Sequence, residues 1–377
     1  MPTGAPTHAL IVGGGTAGHV LPGIAIGQEL VRRGHDANTI HFVGSERGVE
    51  RGLVPDAGFD LTVLPGRGIQ RRLTLDNVSA TVGLVRAFVQ AFRIVRTRRP
   101  NVVVALGGYA SVPAGAWAVL FRVPIVVAEQ NAVPGLANRL IARFAKSSAV
   151  SYERTGLPRE VWTGNPVRPE ILEVAERSAD QRASARAQLG IDAEQTLVVV
   201  FGGSLGARRI NDAVVAALPN FSSATDLTIR HIIGSRDHAE VLALVPADLG
   251  ELIYQPIEYE HHMAQVFAAA DLVVCRAGAT SCAELAVTGT PALLVPLPGA
   301  PGDHQTANAR ALEQVGGARL VPDSQFTAEL FVRSLTELLD SPETLAEMGD
   351  RARSIARPDA ASAVVDLVER HAAEPRS

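Results

Sequence analysis

The chain has 377 residues, of which 47% are hydrophobic and 20% charged, with a formal net charge of −4. That length exceeds one ordinary core and suits two α/β domains. The slight acidity argues against a general nucleic-acid binder, and the composition has no low-complexity tract. Lys146 stands alone against 34 arginines, which reads as the codon bias of a GC-rich genome. Cys275 and Cys282 lie seven apart and fit neither a zinc site nor a disulfide framework, so small buried hydrophobes are expected. Residues 1–15 break into glycines before any adequate apolar signal region, and the longest apolar runs are only strand-length. Neither a signal peptide nor a spanning helix is expected, which points to the cytoplasm.

In chain order, HALIV from His8 predicts a strand, followed by GGGTAGH (residues 13–19) and a helix over residues 21–33 closing on Gly34. TIHFVG predicts a second strand. VVVALGGYAS from Val102 is a further strand-plus-glycine unit, and PIVVA leads into AEQNAVPG, which presents Glu129, Gln130 and Asn131. GNPVRPE, residues 164–170, interrupts the pattern with two prolines and marks a boundary, after which a charged helix ends near Gly190. The plan then recurs: TLVVVF, GGSLGA, and a helix over residues 208–218. DLVVCRAGATSCAEL starts at Asp271, and ALLVP runs into LPGAPGDHQTANA, which offers Asp303, His304, Gln305 and Asn308 to sugar hydroxyls. The tail, from about residue 359 to 371, is helix-like, with nothing in its composition to assign it to either half. Continuous Val/Ile/Leu runs suit parallel strands buried on both faces. The expected fold class is therefore α/β, with two doubly wound domains over residues 1–167 and 168–356.

Gly13, Gly15 and Gly18 satisfy G-x-G-x-x-G, the dinucleotide fingerprint. Its partner acid is misplaced: Asp36 precedes TIHFVG and Glu46 lies beyond it. His19 sits where the loop enters the helix, and a helix N-terminus disfavours the imidazolium. It is either a neutral imidazole that takes a proton from an attacking hydroxyl, or a helix-start histidine that only hydrogen-bonds. In GGSLGA the Ser204 hydroxyl and its neighbouring amides suit a phosphate without a metal. RAGATSCAE sets Ala279, Thr280 and Ser281 at a helix start with Glu284 one turn in, where a carboxylate can accept both ribose hydroxyls. The plainer alternatives are an N-cap serine and an acid that complements the helix dipole. Adjacent His261 and His262 read as loop residues, and no D-x-D pair offers a divalent-ion site, so no metal is expected.

Taken together, GGGTAGHVLPG, GGYAS, EQN, GNPVR, GGSLGA, CRAGATSCAE and DHQTANA resemble, in this order, glycosyltransferase family 28 and its bacterial N-acetylglucosaminyltransferases of peptidoglycan synthesis. The resemblance runs from about residue 8 to about residue 360. It implies a GT-B fold, two Rossmann-like doubly wound domains facing across a cleft, with a last helix of about residues 357–377 packing back on the first. It implies transfer of N-acetylglucosamine from UDP-GlcNAc to the 4-hydroxyl of the muramyl sugar of lipid I, giving lipid II with inversion and without a cofactor. By motif, Thr16, Ala17 and Gly18 lie beside the donor sugar and His19 is the general base, with Glu129 next in line. Asn131 contacts the sugar, and Arg168 the nucleotide. Ser204 falls on the diphosphate, Ala279, Thr280, Ser281, Cys282 and Ala283 line the nucleotide, and Glu284 meets the ribose. Gln305 and Asn308 hold the GlcNAc hydroxyls. Ile257 supplies the uracil-reading backbone, although PIEYEHHM is about two residues longer than the family pattern. Ala17 replaces a commoner glycine and Leu205 the usual glutamine. Two other classes stay open: another UDP-sugar enzyme of this fold, such as a 2-epimerase or natural-product glycosyltransferase, and a non-catalytic or dehydrogenase-like nucleotide module.

From Arg67 to Arg99 there are eight arginines and one acid, Asp76, interleaved with Leu73, Leu75, Leu84, Val85, Phe88, Phe92 and Ile94. A cationic amphipathic surface of this kind suits anionic lipid headgroups; the alternative is a solvated helix face above a core stripe. With a lipid-linked acceptor, the expected location is peripheral, on the cytoplasmic face of an anionic inner membrane. The cell-wall and division machinery are then candidate protein partners.

Overall fold

The computed structural model describes residues 8–46, 48–66, 76–203 and 206–372, with the backbone alone at 76–81. It divides into two compact units, Met1–Arg168 with Arg357–Ser377, and Pro169–Ala356.

The first unit runs β1 (Ala9–Gly13), α1 (Ala17–Arg32), β2 (Ile40–Ser45), α2 (Glu50–Asp56), β3 (Asp60–Leu64), α3 (Asp76–Arg98) and β4 (Val102–Gly107). It continues through α4 (Ser111–Leu120), β5 (Ile125–Glu129), α5 (Leu136–Ile141), β6 (Ser147–Val150) and β7 (Glu160–Trp162). Its seven strands are ordered β3-β2-β1-β4-β5-β6-β7 and pair in parallel throughout. Period-two alternation of buried strands supplies two cores at once. Ala9, Ile11, Val102 and Val104 face one side, while Leu10, Val12, Val103 and Ala105 face the other.

The second unit runs α6 (Pro169–Glu173), α7 (Ala179–Leu189), β8 (Thr196–Phe201), α8 (Arg208–Ala217), β9 (Leu227–Ile232), α9 (His238–Leu242), β10 (Ile253–Ile257) and α10 (Met263–Ala269). Then come β11 (Leu272–Cys275), α11 (Ala279–Thr288), β12 (Ala292–Leu294), α12 (His304–Gln314), β13 (Ala318–Leu320), α13 (Ala328–Leu339) and α14 (Pro342–Arg353). The six strands are again all parallel, ordered β10-β9-β8-β11-β12-β13. Helix α7 is bounded by its own sequence. Ser178 and Gln181 form a reciprocal capping box at its start, and Gly190, at φ 68, takes the left-handed position after its end.

The tail helix α15 (Ala360–His371) belongs to the first unit. Val364, Val365, Leu367 and Val368 join the core on the Ile11 face, each worth about 1.5–3 kcal/mol by burial. Arg33, at the end of α1, fixes the packing by reaching Asp366 and Glu369, each at 2.7 Å, and the Ser362 hydroxyl at 2.7 Å. Both cysteines are buried and free.

The arginine-rich segment is seen in part, since Arg67, Arg71, Arg72, Leu73 and Leu75 lie outside the described residues. Along α3, Ala87, Ala91, Ile94 and Val95 turn into the core, and Phe92 packs on Trp117 and Phe121 at 4.9 and 5.8 Å. Phe92 and Ile94 therefore leave the proposed apolar surface. The helical repeat puts Val82, Val85 and Val89 outward instead, beside exposed Arg86, Arg93 and Arg96.

In each unit the strand order reverses at one place, between β1 and β4 and between β8 and β11. Ligands of open parallel sheets bind beyond the carboxyl ends of the strands at such reversals. The strand-plus-glycine loops after β1, β4, β8 and β11 lie there.

Candidate active site

In the first unit β1 ends in a chain that only glycine tolerates, with φ of 153° at Gly13, 153° at Gly14 and 99° at Gly15. Thr16 is the N-cap residue of α1, but its hydroxyl does not cap the backbone. It lies 3.1 Å from Nδ1 of His19, the third residue of the helix. The Nε2 edge of the ring rests against Gly107 at the end of β4, where an added Cβ would be 3.2 Å from Nε2 and 3.2 Å from Asn138 Nδ2. Thr16, Ala17, Gly18 and His19 thus stand together at the strand reversal. The Gly15 amide, however, donates to the Glu50 carboxylate at 2.9 Å. In a dinucleotide site the corresponding amide faces the pyrophosphate. Asp36 is likewise engaged, accepting from the Asn38 amide at 2.9 Å. The nicotinamide reading of this loop loses both its anion cradle and its ribose acid.

Glu129 ends β5 and is only 3% exposed. Its carboxylate accepts four hydrogen bonds: from the Asn131 amide at 3.0 Å and side chain at 3.3 Å, the Gly135 amide at 3.0 Å and Asn138 Nδ2 at 2.9 Å. This arrangement fixes the Asn131 loop and Asn138 beside His19. A carboxylate so engaged has its lone pairs committed to holding the loop.

In the second unit β8 leads to Gly202 and Gly203; Ser204, assigned to the diphosphate, and Leu205 lie outside the described residues. The turn closes with Gly206 at φ 79, its amide on the Gly203 carbonyl at 2.9 Å. A side chain at Gly206 would overlap the Ile233 carbonyl. Asn211 of α8 donates to that carbonyl at 3.1 Å and accepts from His231 Nε2 at 3.0 Å, while the Tyr254 hydroxyl meets Nδ1 at 2.9 Å. Every ring nitrogen of a neutral His231 is satisfied in this way, and burial lowers its pKa from 6.5 to about 3. The Ile257 carbonyl accepts the Ile233 amide at 2.8 Å, so the β9–β10 ladder already engages it.

Beyond β11, Gly278 caps α11, whose first turns carry Ala279, Thr280, Ser281, Cys282, Ala283 and Glu284. Glu284 is 4% exposed, and the buried Thr280 Oγ1 has no hydrogen-bond partner among the described residues. Asn308 of α12 donates to the Ala277 carbonyl at 3.2 Å, and Gln305 accepts the Leu297 amide at 2.9 Å, so both are tied to this end of the sheet. Arg168 is the last residue of the first unit's main segment.

Comparison with known proteins places this geometry. The glycosyltransferase family 28 N-terminal domain matches residues 9–150, and the family 28 C-terminal domain matches residues 197–367. A UDP-N-acetylglucosamine–N-acetylmuramyl-(pentapeptide) pyrophosphoryl-undecaprenol N-acetylglucosamine transferase of Acidothermus cellulolyticus is 42% identical over 98% of this chain and 99% of its own. The chain belongs to glycosyltransferase family 28. A transferase of the same name from Pseudomonas paraeruginosa is 39% identical over 95% of this chain and 97% of its own. The crystal structure of Acinetobacter baumannii MurG superposes with a TM-score of 0.75 at 30% identity, covering 97% of this chain and 100% of that one.

Three residues of this family 28 chain that sequence reasoning missed shape the loops. Ser111, fully buried at the start of α4, lies 2.8 Å from both the Val12 and Gly107 carbonyls and so joins the ends of β1 and β4. Arg276 uses one nitrogen for the Val295 and Pro296 carbonyls, at 3.0 and 3.1 Å, and for Asp323 at 2.6 Å. It thereby anchors the start of the loop that carries Gln305 and Asn308. Glu50 is the third. The only signal for it was an acid two residues after a glycine, GVE, with nothing to join it to the first loop.

Proposed function

We propose that the chain transfers N-acetylglucosamine from UDP-GlcNAc to the 4-hydroxyl of the muramyl sugar in undecaprenyl-pyrophosphoryl-MurNAc-pentapeptide (lipid I), forming lipid II with inversion for peptidoglycan synthesis. The observation that carries it is the near-full-length likeness, at 42% and 39% identity, to transferases named for that donor and acceptor. The second unit is the donor-binding domain of this reading. Glu284 accepts hydrogen bonds from the ribose, Thr280 and its neighbours at the α11 N-terminus line the nucleotide, and Ser204 and the loop amides ease the charge of departing UDP. Gln305 and Asn308 hold the sugar hydroxyls, with Asn131, Arg168 and Ile257 as further donor contacts. In the first unit, which takes the acceptor, His19 receives the proton of the attacking hydroxyl, with Thr16 orienting its ring. Glu129 then serves as the scaffold of the Asn131 loop.

Incubation with UDP-GlcNAc and a lipid I analogue tests the reading, with UDP release and disaccharide formation as readouts. Release that ignores the acceptor, as from an epimerase or another transferase of the fold, would count against it.

The acceptor is lipid-linked, and no described helix is long and apolar enough to cross a membrane. The outward face of α3 supports peripheral docking on the cytoplasmic, anionic surface: Val85 is 59% exposed and flanked by arginines. Vesicles containing anionic lipid should retain the protein more strongly than neutral ones, and equal retention removes this part of the reading. The cell-wall and division machinery are the protein partners such a location brings within reach.

A further inference from the structure

We infer that Glu50 is a positioning residue of the transfer reaction, its buried carboxylate setting the first glycine loop and, through Thr16, the His19 ring. This rests on the base role proposed for His19. Glu50 opens α2 and is 1% exposed. One carboxylate oxygen accepts from the Ser45 amide at 2.6 Å and the Ser45 hydroxyl at 2.8 Å; the other accepts from the Gly15 amide at 2.9 Å. No salt bridge to Glu50 occurs among the described residues. A buried carboxylate persists where several donors converge on it, and here they come from two separate segments, the end of β2 and the loop after β1.

The surrounding sequence is built to the volume of this side chain. A Cβ at Gly14, Gly44 or Gly48 would overlap the Glu50 side chain, and at each of the three the nearest atoms belong to Glu50. Gly44 is the most telling. It lies inside β2, where a glycine weakens the strand and no left-handed φ calls for one. Its use there follows from the room Glu50 needs. The consequence reaches the reaction through a short path. The Gly15 amide is clamped, Gly15 precedes the N-cap Thr16, and the Thr16 hydroxyl is 3.1 Å from His19 Nδ1. Displacement of a catalytic group by about 1 Å costs on the order of a hundredfold in rate.

The test measures turnover per UDP-binding site at a temperature where circular dichroism shows both units folded, with UDP affinity from calorimetry as the control on the second unit, because the proposed nucleotide contacts other than Arg168 lie there. Glu50→Gln keeps the shape but turns an amide N–H₂ toward the donors, and kcat should fall roughly tenfold to a hundredfold while UDP affinity stays within about twofold. Gly44→Ala should do the same by displacing the carboxylate without removing its charge. In a Glu50→Ala background the Gly44→Ala change should cost less than about twofold, because the obstructing atoms are gone. A Glu50→Gln enzyme with near-wild-type kcat per site would overturn the inference, as would Gly44→Ala and Glu50→Ala losses that multiply. A role confined to stability would lower the unfolding temperature and leave kcat unchanged at temperatures where circular dichroism shows both units folded, which also overturns it. If the wild-type protein shows no acceptor-dependent turnover, the proposed function is what fails.

Discussion

The two glycine loops occupy equivalent places in the two sheets, yet different chemistry holds them. Behind the first stands a buried carboxylate, which takes the Gly15 amide for itself. Behind the second stands a neutral chain of Asn211, His231 and Tyr254, tied to the Ile233 carbonyl beside Gly206. An anionic prop repels a second anion and a neutral one does not. On the proposed function, the same strand–glycine–helix pattern meets uncharged hydroxyls near Gly15 and a diphosphate in the second unit. Sequence alone makes them look like duplicates.

Substitutions in the two units should separate along that line. His19→Ala removes the proposed base and should reduce kcat by roughly 10²- to 10⁴-fold, with UDP affinity retained. Near-normal turnover would take the proton-acceptor role away from this loop. Glu284→Ala should show the reverse split. Losing charge-assisted hydrogen bonds to the ribose should weaken UDP binding roughly tenfold to a hundredfold, while kcat at saturating donor changes less. Unchanged UDP affinity, measured by calorimetry, removes the ribose assignment.

The third contrast is acid stability. His231 has a folded-state pKa of about 3 against 6.5 in the unfolded chain. Between those values the unfolded chain binds the extra proton, so stability falls as pH drops below about 6.5 and this loss stops growing near 3. From pH 7 to pH 5 the contribution is about 2 kcal/mol. His231→Gln, unable to titrate, should be less stable at pH 7 but lose less between pH 7 and 5 in calorimetric unfolding. Parallel pH curves for the two proteins would place the acid sensitivity elsewhere.

What the residues disclosed in advance follows the range of the interactions. Strands β1, β4, β8 and β11 were legible because burial on both faces writes itself as unbroken Val/Ile/Leu runs. The Gly190 stop was legible because a left-handed glycine cap is a local signal. Helix α1 starts four residues before the expected Leu21, because Ala17 and Gly18 read as loop although their backbone is helical. The tail helix showed its amphipathic pattern but not its destination, which depends on Arg33, more than 300 residues away in sequence. Glu50 and Arg276 were invisible for the same reason. Each acts by hydrogen bonds to a distant backbone, and backbone partners leave no residue-type signature. Phe92 and Ile94 show the opposite error, a correct count of apolar residues with the wrong helix face.

The smallest effect tests the second loop region most finely, because its two readouts should move in opposite directions. Thr280 Oγ1 is buried at the start of α11 and has no hydrogen-bond partner among the described residues. A buried hydroxyl left unpaired costs about 1–3 kcal/mol, and removing it from the free protein returns part of that. Thr280→Val keeps the branched shape, so the unliganded protein should gain about 1 kcal/mol of stability. If the hydroxyl is kept for the nucleotide, the same change should weaken UDP binding by about two- to tenfold, the worth of one neutral hydrogen bond. A gain in stability with unchanged UDP affinity would make Thr280 a flaw in the packing of α11. A loss of stability would mean that the hydroxyl is paired within the protein, and Thr280 would leave the nucleotide site.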